Sequence, residues 1–293
     1  MDELRFGKYN GTGNDFVMIE DVQDRLALDA ALVAAVCDRH RGVGADGLIR
    51  VTRAEGADFF MDYYNADGRP ARMCGNGIRC LAKLAYERGL TDKRELAVST
   101  RAGLKHVTLV VEDGVVDRVT VDMGPPSLRR GDLPMEGDPG SSFLAEPVEV
   151  DGASFKASAV SMGNPHLVLF VDTDPSAVDV AAIGPKLETD RRFRDGTNVE
   201  FVSATGSGLS VRVWERGVGE TMACGTGACA SLVAAHLAGL APARCDVRFP
   251  GGVLDIDWRR EEGGSVFMTG GVERSFEGVL DGRWLAARGV SIS

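Results

Sequence analysis

Met73-Cys74-Gly75-Asn76-Gly77 and Ala223-Cys224-Gly225-Thr226-Gly227 are the same short motif written twice, 150 positions apart. Each copy opens an apolar run that ends in Gly-Leu. A motif repeated at a fixed offset indicates an internal repeat. The sequence therefore predicts two similar halves, each presenting one cysteine at the start of a helix.

The same offset recurs away from the cysteines. Gly13-Asn14 corresponds to Gly163-Asn164, and Asn65 corresponds to Glu215. We therefore expect equivalent positions of the two halves to face one cleft, where two thiols could act on one carbon from opposite sides.

The pattern of short apolar runs and turn residues is similar in both halves and predicts an α+β fold. Each half is expected to be a curled β-sheet or barrel around a central helix. These helices are predicted at about residues 77–88, with one apolar face, and 228–237, which is apolar nearly all round. The Pro- and Gly-rich residues 124–147 are the expected crossing between the halves.

Composition narrows the possible partners and compartment. A net charge of −10 argues against nucleic acid and anionic membranes as partners. No run approaches the roughly 18 apolar residues of a membrane span. Met1-Asp2-Glu3 is acidic and no secretory segment follows, so the cytoplasm is the expected compartment. Six cysteines in such a chain favour catalysis or metal binding over a disulfide framework.

Cys74 and Cys224 lie where unpaired helix N–H groups stabilise an anion, which favours the reactive thiolate. They could instead be small buried residues at helix starts. Pairs with Cys80 and Cys229 could bind metal, but their spacings differ and fit no zinc knuckle. A redox dithiol made of Cys74 and Cys224 is a further alternative.

The residues after each cysteine offer backbone N–H groups without bulky side chains. Gly75-Asn76 and Gly225-Thr226 could hold one carboxylate and stabilise the charge that it gains when the neighbouring carbon loses a proton. Arg216 has no basic counterpart in the first half, which suggests a role in ligand recognition rather than a surface salt bridge.

Taken together, these residues resemble the diaminopimelate epimerase family nearly from end to end. The resemblance is carried by several blocks in order: Gly11–Phe16, Asn65–Gly68, Met73–Cys80, Gly163–His166, Gly196–Asn198 and Glu215–Gly227. It implies epimerisation of L,L- to meso-diaminopimelate with no cofactor and no metal, on the route to lysine and peptidoglycan precursors. It also implies a small amino-acid substrate and a homodimer.

The resemblance also implies the roles of individual residues. Cys74 and Cys224 would be the acid/base pair, tuned by His166 and Glu215. The substrate-binding set would be Asn14, Asn65, Gly75, Asn76, Asn164, Asn198, Glu215, Arg216, Gly225 and Thr226. Many relatives carry a glutamine that helps to hold substrate where this chain has Gly47.

The family fold implies that the end of the chain returns to the first half. The expected division is then residues 1–124 with 275–293, carrying Cys74, and residues 125–274, carrying Cys224. A proline-type racemase would share the thiol pair, but it would not need Arg216 and several asparagines to recognise a second amino-acid head. A redox-sensing or metal-binding dithiol protein is the alternative from a different class.

Overall fold

The computed structural model describes residues 3–262 and 264–288. They form two compact units. The first comprises the described residues up to Val121 and those from Gly270 onward, and the second is Asp122–Thr269. Residues 1–2 and 289–293, which the sequence assigned to the first half, lie outside the described residues, as does residue 263.

Seventeen strands and five α-helices are described. In chain order the strands are β1 Glu3–Gly11, β2 Asn14–Glu20, β3 Gly47–Ala54, β4 Ala57–Asn65, β5 Glu95–Thr100, β6 Gly103–Glu112, β7 Val115–Gly124, β8 Glu146–Val150, β9 Ala153–Ser161, β10 Pro165–Phe170, β11 Asn198–Thr205, β12 Gly208–Glu215, β13 Gly219–Thr221, β14 Arg244–Phe249, β15 Gly252–Trp258, β16 Val266–Gly271 and β17 Glu273–Asp281. The helices are α1 Ala30–Cys37, α2 Gly75–Glu87, α3 Val180–Glu188, α4 Gly225–Leu237 and α5 Gly282–Ala286.

The sheet of the first unit runs in the order β17, β1, β2, β3, β4, β5, β6, β7. The β2–β3 and β4–β5 pairs are parallel and the others are antiparallel. Helix α2 packs against β1, β2, β3 and β6, so the sheet curls around it.

The second unit repeats this pattern with β8, β9, β10, β11, β12, β14, β15 and β16. Here too the third and fifth pairings, β10–β11 and β12–β14, are parallel and the others are antiparallel. Helix α4 packs against β9, β10, β11, β12, β14 and β15. The expected fold, two similar halves each curled around a central helix, is confirmed.

A second helix covers the outer face of each sheet. Leu32, Val33 and Val36 of α1 pack with Val17 and Leu48 in the first unit. In the second unit, Val180 and Leu187 of α3 pack in the same way with a cluster that includes Leu167, Leu169, Val199 and Phe201. Because side chains alternate between the two faces of a strand, the residues between these point toward the central helix. Position in a strand therefore decides which residues can reach the start of α2 or α4.

Both central helices begin immediately after their cysteine, two or three residues earlier than predicted. The glycines are compatible with this start, because the N–H groups of the first turn have no acceptor within the helix. The apolar residues that the sequence placed on one face of α2 are buried, and Arg79 and Lys83 on the same helix are buried as well. Arg79 donates to Asn76 Oδ1 at 3.0 Å and Thr12 Oγ1 at 2.6 Å, and Lys83 Nζ donates to Glu87 Oε1 at 2.7 Å.

None of the helices in the described part of the chain has the length and apolar character needed to cross a membrane.

The burial of α4 inside the curled sheet leads to a prediction about the free energy of unfolding. Leu232 is fully buried on α4, whereas Leu240, just beyond the helix, is 47% exposed. Leu232→Ala should lower the free energy of unfolding by about 2–5 kcal/mol, because it leaves a cavity inside the curled sheet. Urea unfolding followed by circular dichroism measures the change, with Leu240→Ala as the matched control. Equal effects of the two substitutions would contradict an enclosed α4.

Candidate active site

Each central helix has a cysteine as its N-cap residue. Cys74 (φ −136°, ψ 120°) and Cys224 (φ −126°, ψ 119°) share one extended backbone conformation. The N–H groups of the following residues have no acceptor within the helix and carry the positive end of its dipole. Each unit therefore holds a thiol beside a set of donors that suits a thiolate or a bound carboxylate.

The Cys74 thiol donates to Asn14 Oδ1 across 3.5 Å. Asn14 is held in this orientation because its Nδ2 donates to Asp46 Oδ2 at 2.6 Å, and a carboxylate can only accept. Asp46 therefore orients Asn14 so that its amide oxygen, a hydrogen-bond acceptor, faces the Cys74 sulfur. Asn14, predicted as a substrate-binding residue, thus lies beside Cys74 within the first unit.

A charged cluster stabilises this arrangement from behind. Asp15 receives bidentate bonds from Arg39 at 2.7 and 3.0 Å and lies 2.6 Å from Lys8 Nζ. Burial alone would raise the pKa of Asp15, but its bonds to Arg39 and Lys8 outweigh burial and hold that pKa well below its usual range. Arg39 also donates to Asp46 Oδ1 at 2.8 Å. The carboxylate that orients Asn14 is thus fixed by a guanidinium.

Cys224 lies in a different environment. Its side chain is buried, with 6% of the residue exposed. Burial raises the pKa of the Cys224 thiol well above its usual value, and the nearby carboxyl groups of Glu215 and Glu200 raise it further. A hydrogen bond with Thr226, whose Oγ1 is 3.4 Å from Sγ, acts in the opposite direction.

Glu215 is half-buried at the end of β12 and accepts a hydrogen bond from Thr221 Oγ1 at 2.6 Å. Burial raises the pKa of Glu215, while bonds from Thr221 and Cys224 oppose the rise. The Glu215 carboxyl group is thus in hydrogen-bond contact with the Cys224 thiol.

A line of polar side chains also reaches Cys224 from β10 and β11. His166 Nδ1 is 2.7 Å from Glu200 Oε1, and its Nε2 is 3.1 Å from Asn164 Oδ1. Asn164 Nδ2 donates to Thr226 Oγ1 at 3.3 Å. His166 and Glu200 are both fully buried. Three side chains, those of His166, Asn164 and Thr226, thus connect the buried Glu200 carboxyl group to the cysteine sulfur.

The remaining predicted residues of the second unit adjoin this line. Asn198, the first residue of β11, donates from Nδ2 to Pro165 O at 2.9 Å and accepts from the Arg216 N–H at 2.9 Å. The Arg216 side chain is exposed, and its Nη1 donates to Asp195 O at 2.9 Å. Asn198 thus fixes the main chain from which Arg216 projects.

Two predicted positions of the first unit have a structural role on β3 and β4. Asn65 ends β4 opposite Gly47, and its main chain closes the turn to Arg69. At Gly47 an added Cβ would lie 2.5 Å from Tyr64 O and 2.7 Å from Tyr63 Cε2. A side chain at this position would displace Tyr63.

Sequence reasoning missed Glu200 and Asp46, although both touch predicted site residues. For Glu200 a signal existed: Asn198 and Glu200 alternate with Val199 and Phe201 in a strand whose neighbours are apolar. Two polar residues on one face of an otherwise buried strand point to an internal polar site. Asp46 lies in a glycine-rich turn, where an aspartate is too common to signal anything.

Among solved structures, a hydroxyproline epimerase from Agrobacterium vitis shares this fold with a TM-score of 0.68. The match has 15% sequence identity and covers 96% of this chain and 92% of that one. The two-unit architecture with enclosed helices is therefore the fold of that epimerase.

Sequence comparison identifies the family. The model of the diaminopimelate epimerase family matches residues 6–129 and 158–275. A diaminopimelate epimerase of Pelotomaculum thermopropionicum is 46% identical, with 94% of this chain and 98% of the relative covered. Another, of Acetivibrio thermocellus, is 43% identical, with 95% and 99% covered. The chain belongs to the diaminopimelate epimerase family, and it is an isomerase.

The raised pKa of Glu215 predicts a pH trend in stability. The folded state holds the Glu215 proton more tightly than the unfolded state does, so this residue lowers the free energy of unfolding as pH rises above about 4.3. Glu215→Gln removes that loss. The stability of the variant relative to the natural protein should therefore increase with pH through this window and then level off.

Urea unfolding at a series of pH values measures this difference. Glu220→Gln, on the neighbouring strand β13, is the matched control, because Glu220 is more exposed and paired with Arg212 at 2.6 Å. A constant difference between Glu215→Gln and the natural protein at all pH values would contradict the burial of this carboxyl group.

Proposed function

We propose that the chain interconverts L,L- and meso-diaminopimelate by a two-thiol mechanism, in which the Cys74 unit and the Cys224 unit each contribute one acid/base group. The observation that carries the proposal is the duplicated Cys-Gly start of an enclosed helix. The names of the relatives, at 43–46% identity over nearly the whole chain, support diaminopimelate as the substrate.

The chemistry requires one thiolate and one thiol at the start of each turnover. The thiolate takes the proton from the α-carbon, and the electron pair of the C–H bond moves toward the carboxylate. The other thiol then gives its proton to the opposite face of the same carbon. Each turnover exchanges the protonation states of Cys74 and Cys224, so the reverse reaction uses the same groups in exchanged roles.

Backbone donors supply the stabilisation of the intermediate. The N–H groups of Gly75-Asn76 and Gly225-Thr226 lie in the first turns of α2 and α4. They would hold the carboxylate of the reacting carbon and stabilise the negative charge that it gains. The charge is met by fixed dipoles, which need no reorganisation during the reaction.

The other end of diaminopimelate carries a second amino-acid head. The exposed Arg216 guanidinium would pair with its carboxylate, and Asn14, Asn65, Asn164 and Asn198 would supply neutral donors and acceptors. Glu215 and His166 would tune the two cysteines. These assignments favour diaminopimelate over proline, which has no second head to recognise.

Membership of the family also supports a role for the reaction in the cell. The reaction would serve lysine and peptidoglycan precursor synthesis in the cytoplasm, without a cofactor, in a homodimer. A net charge of −10 is consistent with a small charged substrate rather than a nucleic acid partner.

The proposal predicts loss of activity when either thiol is removed. Cys74→Ala and Cys224→Ala should each lower kcat by about 10²–10⁴-fold, the usual contribution of a positioned acid or base. Purified protein is incubated with L,L-diaminopimelate and the stereoisomers are resolved by chromatography. Cys245→Ala, which changes a half-buried cysteine on β14, is the control.

In deuterated water the product should carry deuterium at the inverted carbon. Near-normal turnover in either cysteine variant would refute the two-thiol mechanism, and an absence of any stereoisomer change in the natural protein would refute the substrate.

Arg216 generates a separate prediction about substrate placement. Arg216→Lys keeps the charge but loses the planar pair of donors that fits a carboxylate. The variant should lose roughly 2–4 kcal/mol of transition-state stabilisation, measured as a fall in kcat/KM. Alkylation rates of the two cysteines should remain as in the natural protein. Unchanged kcat/KM would remove Arg216 from the site.

A further inference from the structure

Arg216 lies in a largely exposed turn, residues 215–218, whose central peptide can adopt two orientations. The Val218 N–H donates to Glu215 O at 3.1 Å, and Gly217 has a φ of 73°. The third residue of a type II turn requires a positive φ of this kind, whereas a type I turn needs a negative one. The two types differ by rotation of the peptide between Arg216 and Gly217. In an exposed turn, packing alone does little to choose between them.

One carboxylate holds this central peptide in place. Glu188 is the last residue of α3, and its Oε1 accepts from the Gly217 N–H at 2.8 Å. Its Oε2 accepts from Trp214 Nε1–H at 2.6 Å. The Gly217 N–H belongs to the central peptide of the turn, so the bond to Glu188 selects the type II orientation. The bond from Trp214 fixes the carboxylate itself.

Glu188 also holds the segment on which the Arg216 side chain rests. The main-chain oxygen of Glu188 accepts from the Thr197 N–H at 2.9 Å. A Cβ added at Gly196 would lie 2.9 Å from Glu188 O and 3.3 Å from Arg216 Cδ, so the arginine stem lies against this glycine. The guanidinium then donates from Nη1 to Asp195 O at 2.9 Å. The main chain of the turn and the support of the guanidinium are thus both joined to Glu188.

The stability of α3 does not explain a glutamate at this position. The C-terminal end of a helix carries partial negative charge, so a carboxylate is unfavourable in its last turn. The helix also contains Gly184, although glycine in a helix interior lowers helix stability. A Cβ at Gly184 would lie 2.6 Å from Trp214 Cγ, so the glycine lets α3 approach the indole closely. Glu188 is four residues further on, and it therefore lies on the same face of the helix and meets the turn.

The first unit has a different arrangement at the equivalent positions. Its turn at residues 65–68 carries Ala66 where the second unit carries Arg216. Asp38, which follows α1, corresponds to Glu188 at the offset of 150. The Asp38 carboxylate accepts from two N–H groups of the loop after its own helix, at 2.7 and 2.9 Å. A carboxylate at the helix end is thus directed to the turn in the unit whose turn carries an arginine.

We propose that Glu188 is a positioning residue that holds the turn of residues 215–218 in its type II form and thereby places the Arg216 guanidinium for recognition of the second substrate head. The inference rests on the proposed binding of that head by Arg216. Glu188 need not touch the substrate, because it acts through Gly217 and through residues 195–197. No covalent bond is made or broken in this role.

Amide hydrogen exchange of Gly217, followed by nuclear magnetic resonance, tests this tether without any substrate. A glutamine side chain ends in one acceptor and one donor, so Glu188→Gln can accept from Gly217 or from Trp214 but not from both. The exposed Gly217 N–H has water as an alternative, so the half-buried indole N–H should keep the oxygen. We therefore expect Gly217 to exchange about tenfold faster or more, the size of one hydrogen bond to a charged group. Unchanged exchange would overturn the proposal.

Removal of the competing donor should rescue the glutamine variant. In a Trp214→Phe background the indole N–H is absent, so the Glu188→Gln amide oxygen is free to accept from Gly217. The substitution at Glu188 should then accelerate Gly217 exchange much less than it does beside the natural tryptophan. Equal acceleration in the two backgrounds would mean that the carboxylate is not shared between these donors, which contradicts the proposed tether.

Two further variants separate hydrogen-bond geometry from charge. Glu188→Asp keeps the negative charge but is one methylene too short to reach both donors, so Gly217 should exchange faster here as well. A natural exchange rate in Glu188→Asp would show that charge alone matters and would overturn the proposal. Glu220→Gln is the matched control, because Glu220 lies opposite Trp214 in the same hairpin and accepts from Arg212 at 2.7 Å. Its Gly217 exchange should equal that of the natural protein.

Kinetics with diaminopimelate test whether the tether places Arg216. The contact with the second head is present before and during the reaction, so Glu188→Gln should raise KM about tenfold and leave kcat within about twofold. In an Arg216→Ala background the same substitution should change kcat/KM no further, because the group that it displaces is gone. A fall in kcat at unchanged KM, or the same loss in both backgrounds, would overturn the proposal.

The exchange and activity measurements also separate this inference from the proposed function. If the natural protein left the stereochemistry of diaminopimelate unchanged, the proposed function would fail, and faster Gly217 exchange in Glu188→Gln would still support the tether. If the enzyme were active and Gly217 exchange did not respond to Glu188→Gln, the inference would fail and the proposed function would stand.

Discussion

Enclosure of a helix start is the constraint from which the rest of this structure follows. A helix that begins inside a curled sheet has first-turn N–H groups that can find neither an intrahelical acceptor nor bulk water. Something negative or polar must satisfy them. In both units the chain places a cysteine at the cap and glycines in the first turn, which leaves these donors accessible to a bound group. A helix start of this kind favours an anion, which is what the proposed carboxylate contact requires.

Strand alternation then decides which side chains can act on that helix start. In β11, Val199 and Phe201 belong to the outer core with α3, so Asn198 and Glu200 face α4. In β10, Leu167 and Leu169 also belong to the outer core, so His166, which precedes them in the alternation, faces α4. A change at these few inward positions alters the chemistry of the site without disturbing the outer core. This separation explains how two units with one strand order hold two such different environments.

The fold could be predicted from the sequence to a large extent, and the site in part. The repeat at an offset of 150 is visible in Cys74 and Cys224, and apolar periodicity locates the central helices to within a few residues. The position of each cysteine at a helix start was predicted correctly, but the numerical bounds were two or three residues late, because glycine lowers helix propensity in an interior and matters little in a first turn. Glu200 was missed because its effect depends on a strand pairing that brings it to His166, 34 residues away in the chain. Sequence motifs reveal groups that touch a ligand more readily than groups that orient other groups.

The asparagine amides near the two cysteines are oriented in opposite directions by their hydrogen bonds. At Cys74 a carboxylate acts directly on an asparagine: Asp46 takes the amide N–H of Asn14 and turns its oxygen toward the sulfur. At Cys224 a carboxylate acts through a histidine, which takes the amide oxygen of Asn164 and turns its N–H toward Thr226. Inserting one imidazole ring, which meets the amide oxygen with Nε2, between carboxylate and asparagine reverses the amide. An acceptor therefore faces one cysteine and a donor faces the other. A reaction that needs one thiol and one thiolate at the start of each turnover is served by such an inversion, because two identical environments would ionise both cysteines or neither.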